Sequence, residues 1–205
     1  GMFKVIAADG QSDDQYVGQF KNLEATANRN WGLFVQAGSS STDESLRVRN
    51  GANNADHLKI RGDGVVTKPL TPFFSVYGTG NNQTYNDGSD ISFENALHNV
   101  GSHFKMTSGT GQYQRFIAPV AGVYIFTFGF FPNSASNCRI QLNVNGNNIT
   151  NPYISGCFTA WGTGVSAPTG SQMLKLSASD YVTVRVTGGT LSNTYDGHTG
   201  FQGFL

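Results

Sequence analysis

The side chains able to do chemistry are few and scattered. Four histidines stand at His57, His98, His103 and His198. His98 and His103 have no cysteine or carboxylate at a zinc-ligand spacing beside them, so they read as surface or turn histidines. No G-x-S-x-G elbow presents a serine nucleophile. From residue 69 onward the carboxylates are Asp87, Asp90, Glu94, Asp180 and Asp196, most of them in turn sequences. That is a poor supply for paired acid–base work. The expectation is a chain without catalytic residues, metal ligands or a cofactor.

Other short motifs read more simply as structure. Arg61-Gly62-Asp63 closes a strand-like segment, where Gly-Asp-Gly makes a tight turn. Asn82-Gln83-Thr84 and Asn148-Ile149-Thr150 fit the N-glycosylation pattern. Cys138 begins the run C-R-I-Q-L-N-V, and Asn145-Gly146 after it is a two-residue hairpin signal. That hairpin sets Cys138 opposite Tyr153 and leaves Cys157 about 13 Å further along, outside disulfide reach. Two small core thiols are expected; a longer or bulged loop is the arrangement that would bring them together. Aromatic rings flanked by Gly, Asn, Thr and Ser are the better binding candidates: Tyr85, Phe158, Trp161 and Tyr195, with Tyr77 beside them. Such rings suit sugar or protein surfaces, or the rim of a subunit contact.

Composition sets the class of element that must position these groups. The 26 glycines, abundant Asn, Ser and Thr, and 13% charged residues describe a turn-rich β protein. No long 3.6-residue stripe appears. Formal net charge is zero, which argues against a phosphate-binding surface for nucleic acid and against a polybasic membrane contact. No run approaches the roughly 20 apolar residues of a membrane span. Gly1 before Met2 reads as the remnant of a cleaved tag, and no signal peptide follows.

The run R-F-I-A-P-V-A-G-V-Y-I-F-T-F-G-F-F, Arg115 to Phe131, is the strongest element. Tyr124, Phe126, Phe128 and Phe130 fall on alternate positions and share one face of a strand. Val123, Ile125 and Thr127 make the other face nearly as apolar. A strand apolar on both sides needs a cover on each, a core or another subunit. An obligate oligomer is expected.

These residues also carry a family resemblance. Phe116, Ala118, Pro119, Gly122, Tyr124 and Phe126 resemble the F-x-A-P-x-x-G-x-Y-x-F signature of the globular head of complement component one, subcomponent q. I-S-F-E-N-A-L-H-N-V-G-S-H-F (Ile91 to Phe104), L-K-L-S-A-S-D-Y-V-T-V-R-V (Leu174 to Val186) and the terminal F-Q-G-F-L are similar to further family segments. Together they span about Pro72 to Leu205. Ser179 stands where the family usually has glycine before Asp180. The resemblance implies a tumour-necrosis-factor-like jelly roll that forms a homotrimer. It assigns Phe116, Tyr124, Phe126, Phe128, Phe201, Gly203 and Phe204 to the core or the trimer contact. Some members hold calcium, which oxygen ligands suit, but no ligand motif is matched here.

Ahead of this head lies a short repeat: G-L-F-V-Q-A-G from Gly32, S-L-R-V-R-N-G from Ser45 and H-L-K-I-R-G-D-G from His57. A unit this small buries no core alone, so stacking or association is required. The pattern is similar to β-structured shaft segments of phage tail fibres; a three-strand meander is the plainer reading. F-K-V-I-A near the start suggests one more strand. Lys68-Pro69-Leu70-Thr71-Pro72 reads as a stiff linker.

The expectation is an all-β, homotrimeric chain. A β-repeat stalk over 1–68 carries a ten-stranded jelly-roll head over 69–205. Its strands are expected near 73–77, 90–94, 101–106, 112–118, 122–131, 137–144, 149–159, 171–176, 180–187 and 200–205. The leading functional expectation is a non-enzymatic adhesion module, the receptor-binding tip of a tail fibre or similar virion protein. It would be extracellular or on a virion surface and bind a host glycan or protein. The alternatives are a purely structural trimerisation domain and a secreted complement-q-like recognition or signalling protein.

Overall fold

A computed structural model describes residues 5–6, 16, 18–28, 31–78, 83–106, 114–130, 134–136, 139–148, 158–159, 169–193 and 199–205. The chain divides into two units, Gly1–Pro69 and Leu70–Leu205. Among the described residues every regular element is a strand.

The first unit contains β1 (Glu44–Arg49), β2 (Asp56–Arg61) and β3 (Val66–Thr67), an antiparallel meander in that order. The repeat units at Ser45 and His57 supply β1 and β2. The unit at Gly32 forms no strand, and the third strand comes from downstream. Three equivalent stacked strands are therefore not what the repeat makes. The turn after Arg61 brings the chain straight back: Arg61 N–H donates to the Val65 carbonyl at 3.0 Å. The Arg61 guanidinium pairs with Asp63 inside this turn, so the Arg-Gly-Asp tripeptide is held by its own geometry. Val5 and Ile6, from the segment expected as a first strand, lie in none.

The second unit contains β4 (Phe73–Tyr77), β5 (Gln83–Asn86), β6 (Asn95–Val100), β7 (Phe104–Lys105), β8 (Arg115–Ile117), β9 (Gly122–Phe130), β10 (Ser134–Ser136), β11 (Arg139–Val144), β12 (Asn147–Asn148), β13 (Phe158–Thr159), β14 (Thr169–Leu176), β15 (Tyr181–Thr187), β16 (Thr190–Asn193) and β17 (Thr199–Phe204). One sheet runs β14-β9-β17-β4-β6. A second runs β12-β11-β15-β8-β7 with β13 also on β11, and a third runs β10-β16-β5. Many neighbouring strands are distant in sequence, as β4 beside β17 and β8 beside β15, as in a jelly roll.

Several expected strands differ. Residues 90–94 make only a single bridge, Asp90 to Arg185. Ile91 and Phe93 both point into the core, but Phe93 N–H donates to the Gln114 side chain at 2.7 Å rather than to a ladder. The segment expected at 101–106 starts late, because Gly101 and Ser102 form a turn at φ 74° and 55°. The Asn145-Gly146 turn forms with both residues at positive φ, 53° and 81°, as a type I′ hairpin requires. Its return strand is broken, however. Asn143 pairs with Asn148, yet Ile140 pairs with Phe158. An unbroken hairpin would bring Asn151 there, so the return is seven residues longer (158 − 151). The register that set Cys138 opposite Tyr153 does not persist to Arg139, and both cysteines lie outside the described residues.

The core lies between the sheets. Tyr124, Phe126, Phe128 and Phe130 all point into it, and the β15 side chains Val182, Val184 and Val186 face them from the other layer. Phe74 stacks on Phe116 and Phe104 with ring centres 5.0 and 5.1 Å apart. Tyr124 donates its hydroxyl to the Val120 carbonyl at 2.8 Å, which satisfies the one polar atom of a buried ring. Gly203 sits between Phe126 and Phe74 in adjacent strands. A Cβ there would lie 2.6 Å from the Phe74 ring and 2.7 Å from that of Phe126. Gly203→Ala is expected to destabilise the unit by about 1–3 kcal/mol through overpacking, read by urea denaturation; an unchanged midpoint would contradict this packing.

The turn before β15 keeps a glycine's conformation without the glycine. Ser179 has φ 73°. Its N–H donates to the Ala118 carbonyl, and Ala118 N–H donates to the Asp180 carbonyl, each at 2.8 Å. The Ala118-Pro119 segment and the Asp180 turn thus hold each other. Ser179→Gly is expected to stabilise the unit by about 0.5–1 kcal/mol by relieving left-handed strain, seen as a raised thermal midpoint.

Asp180 accepts from the Asn145 amide and from Ser177 N–H, both at 2.7 Å. These bonds, the Asn145 one foremost, hold its carboxyl below the ordinary aspartate value. The folded value is the lower one, so the contribution is present above about pH 4 and lost as pH falls through the folded value. The Asn145 side-chain amide signals in NMR should follow that titration, and Asp180→Asn should abolish it.

Candidate interaction surface

With the aromatic face of β9 in the core, its other face points outward with the rest of the β14-β9-β17-β4-β6 sheet. Pairing register aligns that outer face in rows. Met173, Ile125, Phe204, Phe73 and Val100 form one row across all five strands. Met173 is 66% exposed and Phe204 47%. Val123, on β9 beside this row, is 54% exposed. The next row is Ser171, Thr127, Gln202, Ser75 and His98. An apolar band with hydroxyl and amide groups alongside is the anatomy of a protein contact: an apolar centre and a polar margin.

The sequence candidates fall in different places. Phe116, Tyr124, Phe126, Phe128, Phe201 and Gly203 are buried in the core, while Phe204 lies in the outer row. Tyr85, expected as an exposed ring, is only 7% exposed. β5 pairs it with Leu191, which is also buried, and its hydroxyl donates to Gln83 Oε1 at 2.6 Å. Its ring face is therefore not available to a ligand in the free chain. Burial raises its phenol pKa. Phe158 lies in β13; Trp161 and Tyr195 lie outside the described residues. Sequence reasoning missed Met173, Phe73 and Val100. Their signal was parity: Met173 sits between Ser171 and Lys175 on β14, a pattern that reads as a solvent face.

The described carboxylates of the second unit are engaged by neighbouring groups. Asp90 is held by Arg185 at 2.6 Å and accepts from Thr183 at 3.2 Å. Asp87 accepts from Gly188 N–H at 2.7 Å, and Glu94 from Gln83 at 3.2 Å. No three Asp, Glu, His or Cys side chains converge among the described residues. His98 lies against Phe73 with ring centres 5.3 Å apart. Among the described residues no helix is long and apolar enough to cross a membrane.

Comparison with known proteins places this architecture. The family model of the C1q domain matches residues 73–205. The chain belongs to the C1q-domain family. Among curated proteins, the C1q domain here is similar to complement C1q tumor necrosis factor-related protein 3 of Mus musculus, 32% identical over 123 residues, 58% of this chain and 46% of that protein. The Homo sapiens counterpart is 31% identical over the same length. The chain spans about half the length of these relatives. Among solved structures, the globular domain of zebrafish complement 1qA is 20% identical, with a TM-score of 0.46, covering 65% of this chain and 96% of that one. Murine APRIL is 10% identical, with a TM-score of 0.42, at the same coverage. The C1q domain is a non-enzymatic recognition module, and domains of this type typically form trimers.

Proposed function

We propose that this chain is a homotrimeric recognition module acting outside the cell, with the C1q domain as its recognising head. The observation that supports this most is the apolar row Met173, Ile125, Phe204, Phe73 and Val100, exposed at Met173 and Phe204 and half-buried at the other three, while the opposite face of the same sheet is a filled core. Two further copies cover that row in the trimer. Trimerisation then multiplies a weak single-site affinity through effective concentration. The ligand is a cell-surface protein or glycan, with Phe158, Trp161 and Tyr195 as the aromatic residues offered to it.

The complement-q-like reading is favoured over a fibre tip. The curated relatives are mammalian complement-related proteins, and one of the three repeat units behind the fibre resemblance forms no strand. Arrays of cell-surface proteins and glycans, probed with the oligomer and with a monomerised variant, test the recognition role. Binding weakened about 100-fold or more in the monomer is expected. Silence on every array with correctly trimeric protein would favour an assembly-only role.

A further inference from the structure

The first unit leaves an apolar face of its own open. In its meander Leu46, Ile60 and Val66 form one row, and Val48 and Leu58 the next. These five side chains share a face and carry no charge. Leu46 and Val48 are 38% and 41% exposed. The charged side chains of β1 and β2 find ion-pair partners within the unit, Arg61 with Asp63 of its closing turn. Arg47 and Arg49 both bind Asp56, at 2.8 and 2.9 Å, and Lys59 binds Glu44 at 2.5 Å. The charged groups are thus ion-paired within one chain, while Leu46, Val48 and Val66 stay exposed. Its strands are only six, six and two residues long, so a cover on that face adds buried apolar area that the single chain lacks.

We infer that the face of Leu46, Val48, Leu58, Ile60 and Val66 is covered by the same face of other copies of this chain, making the first unit a second association element. The inference rests on the trimeric reading of the head. Only Lys68–Pro72 separates β3 from β4, at most about 20 Å of chain, and two prolines stiffen it. A trimer of heads therefore holds three such faces at an effective concentration on the order of millimolar. The face has no ionised group, so identical copies meet without like-charge repulsion. A foreign partner would have to compete with that tethered supply.

The test uses the full chain with the photoreactive residue p-benzoylphenylalanine at position 48 and, as a control on the charged side, at position 47. Chains labelled with nitrogen-14 and nitrogen-15 are folded together before irradiation. The probe at 48 is expected to give covalent dimers and trimers with mixed-isotope cross-links to residues 46–60 of another copy; the probe at 47 gives none. Cross-links from 48 confined to one chain, for instance to the exposed segment Trp31–Val35, overturn the inference, as does their absence in a protein that light scattering shows to be trimeric. A second variant separates the two association elements. Val48→Asp with Ile60→Asp should leave the mass at three chains while trypsin cuts at Arg47, Arg49 or Lys59 at least 10-fold faster. An unchanged cleavage rate counts against the proposal. A single-chain mass for the unaltered protein would instead remove the head trimer and this inference with it.

Discussion

Phe126→Ala is expected to lower the stability of the C1q domain by about 3–5 kcal/mol, the range for deleting a buried phenyl ring. Phe126 is fully buried and its ring lies 5.6 Å from Phe116, 5.7 Å from Phe201 and 6.3 Å from Phe74. Those rings come from three strands in two sheets, so one truncation loosens both layers. Gly203 packs against the same ring, which means that no neighbouring side chain stands ready to fill the space. A domain of ordinary stability, about 5–15 kcal/mol, keeps little margin after such a loss. Urea denaturation followed by intrinsic fluorescence measures it. A loss below about 1 kcal/mol would show that this ring is not central to the core.

The second large effect is on assembly. Met173→Asp combined with Phe204→Asp is expected to convert a three-chain particle into single chains. Both side chains are about half or more exposed in the free chain, so their replacement leaves the core untouched. Carboxylates buried between subunits without partners cost several kcal/mol each, and in a trimer the cost recurs at every copy. Near-UV circular dichroism should retain the folded signature while the sedimentation coefficient falls to that of one chain. A variant that stays trimeric would place the contact elsewhere on the domain.

The sequence made one face of β9 legible and left the other undecided. Four aromatics on alternate positions announce a strand with a bulky inward side, and the terminal F-Q-G-F-L supplies its neighbour, with Gly203 admitting the two rings beside it. Which β9 face is core could not be read from β9 alone, because Val123, Ile125 and Thr127 are also largely apolar. It is settled by register and burial: Ile125 aligns with Met173, Phe204, Phe73 and Val100, residues scattered over more than 100 positions whose same-face neighbours two residues away, such as Ser171, Lys175, Gln202, Ser75 and His98, are polar. Tyr85 was misread for a related reason. Thr84 and Asn86 beside it look like a loop, and only pairing with β16 turns the ring inward. The A-L-H-N stretch of β6 hid because its side chains alternate weakly and a register shift lies between Ser75 and Val76 of its partner. In the first unit, the Leu46 and Leu58 repeats did mark a hairpin, but nothing in Gly32–Gly38 distinguishes a segment of the same pattern that pairs with no strand. The outer apolar row was thus present in the sequence as parity, and parity acquires meaning only once strand order is known.

The outer face of the five-stranded sheet is proposed as a seam between three copies. Multi-angle light scattering on the full chain tests it most directly. One species with three times the 22.0 kDa chain mass is expected, stable to dilution into the nanomolar range. A monodisperse particle of one chain mass would contradict it.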